Sequence, residues 1–223
     1  MDGVLYLGLA VAGFVGYIFA RNQLYVVDDP AATLANLVEQ ASLARFGIAA
    51  DLSVVLLQAL AAVWFFKLFR RENSFAAASI AAFGLVNAAL IAVATAFSAT
   101  ALAVANNAAL TLAGGQSATV QLLYSLNETG WNIGGLFFGL WLFPMGYVIV
   151  KSGVMPIWLG RLLMAGGVAY VVSTYITMVV PDAPEAVSGL LIGLATIGEF
   201  WIIGYLLIFG VRTPDRISPT VAE

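Results

Sequence analysis

Residues 186–210 read AVSGLLIGLATIGEFWIIGYLLIFG, and this stretch decides the fold. It is long enough to cross the roughly 30 Å hydrocarbon core of a membrane as one α-helix. Its single charged residue is Glu199. A carboxylate at that depth costs about 3 kcal/mol or more unless a partner, a bound cation, a captured proton or a water-filled cavity offsets the cost. We therefore expect a membrane helix with a site at Glu199.

The rest of the chain has the same apolar character. Of its 223 residues, 62% are hydrophobic and 9% are charged, whereas soluble proteins carry roughly 25% charged residues. We predict an all-α integral membrane protein that forms one membrane domain over residues 1–223, a bundle of six transmembrane helices. The spans are expected at about 3–20, 46–69, 75–102, 131–150, 157–180 and 186–210, followed by a flexible tail at 211–223.

The two longer loops carry local signals. Asp29 and Pro30 have the residue types of a helix cap and a first helical position, which predicts a short amphipathic surface helix between the first two spans. The second long loop, residues 106–130, is expected to run near the membrane surface before the fourth span. Tyr25, Tyr124 and Trp131 should mark that interface. Pro144 should kink the fourth helix.

Lysine and arginine predict the orientation, because they are enriched in cytoplasmic loops. In a six-span chain, Arg21 and Arg45 fall on one side of the membrane. The other seven fall on the opposite side, at Lys67, Arg70, Arg71, Lys151, Arg161, Arg212 and Arg216. Both termini are therefore expected in the cytoplasm, although Asp2 and Arg21 favour the reverse for the first helix alone.

Two residue types are absent from the sequence, which contains no cysteine and no histidine. This argues against His-ligated haem, Cys-ligated zinc and iron–sulfur clusters. Lys67 and Lys151 lie at the ends of apolar runs, which argues against a retinal Schiff base. We expect no cofactor. The net charge of −3 gives no reason to expect nucleic acid as a partner.

Polar residues fall near one depth in four of the spans. At about 1.5 Å of rise per residue, four side chains lie about 16–20 Å from a predicted helix end. These are Gln58, Asn87, Tyr170 and Glu199. Asp51 lies two turns before Gln58 on the same helix face, Thr196 lies one turn before Glu199, and Arg45 lies at the outer boundary. The spacing predicts a polar chain from Arg45 and Asp51 inward to Glu199.

Each of these residues has an alternative role. For Gln58, Asn87 and Tyr170, each taken alone, the favoured role is a hydrogen bond between helices that holds the bundle together. Arg45 and Asp51 are equally consistent with an ion pair that only orients the surface helix. Glu199 favours a site, because a buried carboxylate is a poor choice for packing alone. It is expected to be neutral unless a cation or Arg45 lies beside it.

Small residues at four-residue spacing indicate where helices approach closely. They occur at Gly84, Ala88, Ala92 and Ala96, at Gly135 and Gly139, and at Gly189 and Gly193. Packing within the chain is the favoured interpretation. Contacts in a homo-oligomer or with other membrane subunits are the alternative, and membrane lipids are the general partner.

Residues 135–160 read GLFFGLWLFPMGYVIVKSGVMPIWLG. They resemble a motif of an uncharacterised family of bacterial integral membrane proteins, the domain of unknown function four-three-eight-six. The matching positions are Phe137, Phe138, Gly139, Leu140, Gly146, Tyr147, Ser152, Gly153, Pro156, Leu159 and Gly160. Within this motif, Ser152 and Gly153 should end one helix and Pro156 should start the next after a tight turn. Residues 45–51 (RFGIAAD) and 198–199 (GE) resemble two further family motifs.

The resemblance implies a six-helix fold in the bacterial cytoplasmic membrane and no established activity. Family members often have histidine where this chain has Trp141. Three hypotheses about function remain open. They are a protein or transporter that binds a small molecule, lipid, cation or proton at Glu199, a non-catalytic accessory subunit, and an intramembrane enzyme. The last, which we favour least, would use Glu199 or Asp51 as acid or base.

Overall fold

A computed structural model describes residues 2–180 and 184–210, so the predicted tail at 211–223 lies outside the described residues. Within the described ranges, six helices are long and apolar enough to cross a membrane, which confirms the predicted all-α membrane fold. The α-helices are α1 (Asp2–Gly13), α2 (Asn22–Leu24), α3 (Pro30–Glu39), α4 (Ala41–Phe69), α5 (Ser74–Asn106), α6 (Gln116–Ser152), α7 (Ile157–Val179) and α8 (Glu185–Ile208). A π-helix, Phe14–Arg21, joins α1 to α2 within the first span, Gly3–Leu24.

The spans form a closed ring in chain order. Each packs against the next, and α1 also packs against α8. At the end of the bundle where the described residues begin and finish, Gly3 approaches Leu207 so closely that a side-chain carbon on Gly3 would lie 2.7 Å from Leu207 Cγ. We call this the termini end, and the opposite end, where α3 lies, the α3 end. The ring places one face of every span around a common centre.

The fourth span is longer than the sequence predicts. Helix α6 begins at Gln116 instead of near Trp131, so the expected surface loop is mostly helix. Gly114 and Gly115, at φ 109° and 99°, end the preceding loop in a conformation that favours glycine. One polar residue of this segment, Asn127, is buried, and its Nδ2 donates to the Ala94 carbonyl at 2.8 Å. The helix continues through Pro144.

Helix α3 begins as the sequence predicts. The Asp29 carboxylate accepts a hydrogen bond from the Ala32 amide at 2.9 Å, and Pro30 is the first helical residue. Thr33 and Leu37 are fully buried, and α3 packs against α6. The helix therefore covers the α3 end of the bundle with its apolar face.

Small residues mark close helix contacts at two of the predicted positions. A side-chain carbon at Gly139 would lie 2.6 Å from the Gly167 carbonyl oxygen on α7, and one at Gly84 would lie 2.8 Å from Ala62 Cβ. Gly84 therefore faces the interior of the ring. The expected close approach is wrong within this chain for Gly189 and Gly193, where a side-chain carbon would meet no described atom within 4 Å.

Candidate functional site

A central cavity of about 500 Å³ lies between the six spans. This volume is within the range of sites that bind small molecules. Its apolar walls include Leu9, Val54, Ile91, Phe138 and Ile203. Its polar lining residues are Tyr6, Tyr17, Gln58, Asn87, Trp131, Asn132, Tyr170, Ser173, Thr174, Thr177, Thr196 and Glu199. The cavity thus brings together Gln58, Asn87, Tyr170, Thr196 and Glu199, all predicted from the sequence.

Glu199 lies between two tyrosine hydroxyls. The Tyr6 hydroxyl donates to Glu199 Oε1 at 3.4 Å, and the Tyr170 hydroxyl donates to Oε2 at 3.3 Å. Both distances are long for an O–H···O bond, which is usually about 2.7–2.8 Å. A carboxylate offers about four acceptor positions. Glu199, which lines the cavity, therefore keeps free acceptor capacity.

Three further side chains carry polar atoms without a protein partner. Gln58 is fully buried, and neither its Nε2 nor its Oε1 has a hydrogen bond to the described protein. The same holds for Asn87 Oδ1 and Trp131 Nε1. Buried polar atoms are almost always paired, so these unpaired atoms in residues of the cavity wall carry a cost in the ligand-free protein. By contrast, the Thr196 hydroxyl donates to its own helix, to the Ile192 carbonyl at 2.8 Å.

The predicted route from Arg45 through Asp51 is not formed. Arg45 is exposed, whereas Asp51 is buried against Gly16 of the π-helix. Asp51 lines a separate cavity of about 20 Å³, which is room for about one water molecule. The arginine that lines this small cavity is Arg21. Tyr17 lines both cavities and so lies between the Asp51 region and the Glu199 region.

Arg21 occupies a site that the sequence analysis did not assign to it. Its guanidinium lies 3.2 Å from Glu128 Oε2 and 4.9 Å from each of the rings of Tyr17 and Tyr25. Its side chain is only 10% exposed. A signal was present, because tyrosines four residues before and after an arginine lie on the same face of a helix.

Tyr6 and Trp131 were also missed. Tyr6 lies near the start of the first span and was not counted among the residues at mid-membrane depth. Trp131 was expected at the interface because the fourth span was expected to begin there, and the earlier start of α6 places it in the cavity wall instead. Tyr124 is likewise buried within the protein.

Comparison with known families identifies what the chain resembles. The model of a family described as a domain of unknown function (DUF4386) matches residues 1–210. The chain belongs to this family. The resemblance drawn from the sequence motifs is therefore confirmed, and the family description assigns no activity.

The motif residues of this DUF4386 protein have clear structural roles. Helix α6 ends at Ser152, Gly153 adopts φ 68°, and Pro156 precedes α7, as the motif predicts. Trp141, at the position where the resemblance implies histidine in other members, is fully buried and packs edge-on against Tyr6 at 5.8 Å between ring centres. The motif position is therefore separated from Glu199 by a single side chain.

One relative with a match is an uncharacterised protein of Archaeoglobus fulgidus. It is 32% identical over 88 residues, which are 39% of this chain and 50% of the archaeal protein. The match thus spans about half the length of that relative. No solved structure matches the chain.

Proposed function

We propose that this membrane protein binds a small amphipathic molecule, taken from the surrounding lipid, with its polar end at Glu199. The observation that carries the proposal is the central cavity, which joins apolar walls to a carboxylate with free acceptor capacity. Ligand sites combine mostly apolar walls with a few placed polar groups in this way. Glu199, Gln58, Asn87 and Tyr170 supply the polar contacts, and the ligand also accounts for the cost of burying Glu199.

The cavity reaches the lipid-facing surface between the first span and α8. These helices meet at the termini end, but further along, cavity-lining residues on both are exposed. Phe14 is 59% exposed on the first span, and Phe200 is 61% exposed on α8. Ile18 and Ile192 of the cavity wall are exposed in the same way. A hydrocarbon tail can therefore lie in this gap while the polar end reaches the interior.

Photoreactive single-chain probes of equal length test the proposal. The probes carry an ammonium, a hydroxyl or a carboxylate at one end and a diazirine in the chain, and the protein is held in lipid nanodiscs. We expect saturable labelling of cavity-lining peptides by at least one probe. Gly13→Phe should abolish this labelling, because Gly13 lines the cavity with only Val54 within 4 Å of an added side-chain carbon.

The matched control is Gly193→Phe. This substitution places the same side chain on a helix, at a position with no described atom within 4 Å, and labelling should be unchanged. The proposal fails if no probe labels the cavity saturably, or if Gly13→Phe and Gly193→Phe are labelled alike.

We also propose that both termini lie in the cytoplasm of a bacterial cell, on the strength of the distribution of lysine and arginine. The sequence contains no cysteine, so single cysteines report position without background. A membrane-impermeant maleimide should label Glu39→Cys, at the α3 end, in intact cells. It should label Glu72→Cys only after permeabilisation, and the reverse pattern would overturn this orientation. Both positions are exposed in the structure.

A further inference from the structure

We infer that the ligand is a lipophilic monocation, a single-chain amine or similar ammonium compound, whose charged group binds at Glu199. This inference rests on the proposed function and names the chemical class of the molecule bound. Three features of the cavity support it: the sign of its charge, the unpaired acceptor atoms, and the aromatic rings in its wall.

The charge of the cavity favours a cation. Glu199 is the acidic residue of the wall, and no lysine or arginine is among the lining residues that the structure describes. Arg21 lies outside this cavity: it lines the separate small cavity and pairs with Glu128. An anionic headgroup would therefore enter a low-dielectric site beside a carboxylate with no cation to stabilise it, whereas an ammonium brings the missing counter-charge.

The unpaired polar atoms suit the same group. An ammonium carries three hydrogen-bond donors and no acceptor. Glu199 offers acceptor positions in the cavity wall, and the wall residues Gln58 and Asn87 carry the acceptors Oε1 and Oδ1, which lack a protein partner and are covered from the cavity in the ligand-free protein. Charge-assisted hydrogen bonds are roughly twice as strong as neutral ones, so an ammonium gains more from these oxygens than an alcohol does.

Aromatic rings lie beside the acid and elsewhere in the cavity wall. Tyr6 and Tyr170 contact Glu199, Phe138 packs edge-on against Tyr170 at 5.4 Å, and Trp131 also lines the cavity, whereas the ring of Tyr17 already lies under the Arg21 guanidinium. Ring faces attract cations, and tryptophan does so most strongly. The same rings offer only ordinary apolar contact to a neutral headgroup. Two unpaired donors, Trp131 Nε1 and Gln58 Nε2, favour a neutral acceptor ligand instead, and the experiment below decides between the two.

The experiment compares headgroups on an identical tail. Binding of dodecylammonium, dodecanol and dodecanoate is measured by titration calorimetry in nanodiscs of zwitterionic lipid, and partitioning into lipid is subtracted with the Gly13→Phe protein. We expect dodecylammonium to bind about tenfold or more tighter than dodecanol, which is the difference between charge-assisted and neutral hydrogen bonds. Dodecanoate should bind most weakly.

Glu199→Gln tests the assignment to this carboxylate. We expect the affinity for dodecylammonium to fall to that for dodecanol, whose affinity should stay within about twofold. The inference is overturned if dodecanol or dodecanoate binds the unaltered protein as tightly as dodecylammonium, or if the preference survives Glu199→Gln. The headgroup ranking in the unaltered protein decides the question even if the variant does not fold. Absence of binding by all three ligands above the Gly13→Phe background would instead overturn the proposed function itself.

Discussion

Arg21→Met is expected to lower the free energy of unfolding by about 2 kcal/mol, between the values typical of exposed and of buried ion pairs. Removing one partner of a buried ion pair typically costs about 3–5 kcal/mol, because the other charge is left without compensation. Here Arg21 is 10% exposed, but Glu128 is 38% exposed and stays partly hydrated without its partner, so we expect a smaller loss than that. The variant also leaves Asp51, in the same small cavity, without a neighbouring cation and removes the guanidinium from between two tyrosine rings.

Unfolding in mixed micelles, followed by circular dichroism as sodium dodecyl sulfate is added, measures this effect. Arg45→Met is the matched control. It makes the same chemical change at the same end of the bundle, at an exposed side chain, and should alter stability by less than about 0.5 kcal/mol. Equal losses in the two variants would show that Arg21 acts only as a surface charge. A larger loss for Arg45→Met would favour the interfacial role considered for Arg45 from the sequence.

The features of the fold that the sequence predicts are those that depend on few residues. The six spans follow from apolar length, and the start of α3 follows from Asp29 and Pro30, whose types and spacing define a helix cap. The turn between α6 and α7 follows from Gly153, which adopts the positive φ that favours glycine. Each of these three features depends on local chemistry or on the thickness of the membrane, and none of them requires knowledge of distant contacts.

The start of α6 could not be predicted in this way. The segment is polar because it contains Gln121, Asn127 and Glu128. Without knowledge of their partners, such polarity indicates a loop at the membrane surface. In the folded protein Asn127 donates to the Ala94 carbonyl of α5, Gln121 Nε2 donates to the Val26 carbonyl, and Glu128 pairs with Arg21. Those partners are distant in sequence, so the sequence alone does not show that these polar side chains have partners within a helix bundle.

Depth counting identified four of the polar residues that line the cavity, for a simple reason. Because all the spans cross the same membrane, residues at the same depth lie at one level of the bundle. A closed ring then turns one face of each span towards the centre. Gln58, Asn87, Tyr170 and Glu199 therefore meet at one cavity. The sequence predicts Arg45 as the partner of Asp51, whereas Arg21 is the arginine that lines the small cavity with Asp51. Both lie near the same boundary, and the choice depends on the rotation of the first span and α4 about their axes.

Two buried amides are expected to respond to substitution with opposite signs. Gln58→Met should raise the free energy of unfolding of the ligand-free protein by about 1–3 kcal/mol, because an unpaired buried polar group costs about that much. Gln58 is fully buried, and neither of its side-chain polar atoms has a protein partner. Asn127→Leu should lower the same free energy by about 1 kcal/mol, because Asn127 donates a 2.8 Å bond that links α6 to α5.

The same pair separates stability from binding. Gln58 lines the central cavity and Asn127 does not. Gln58→Met should therefore weaken binding of dodecylammonium about fivefold, the equivalent of one hydrogen bond of about 1 kcal/mol. Asn127→Leu should leave that affinity unchanged. Stability is read from unfolding in mixed micelles and affinity from titration calorimetry in nanodiscs, so that both quantities are measured on each variant.

The sign of the Gln58 effect distinguishes two roles that the sequence left open. A glutamine that holds the bundle together contributes hydrogen bonds, and its replacement by methionine should destabilise the protein whether or not a ligand is present. A glutamine kept for a ligand carries a cost in the empty protein, and its replacement should stabilise that protein while weakening the complex. A loss of stability in Gln58→Met with unchanged affinity would assign Gln58 to packing and would leave Glu199 and its two tyrosines as the polar end of the site. A gain of stability with a loss of affinity would show that the bundle keeps unpaired polar atoms at its centre for the molecule that it binds.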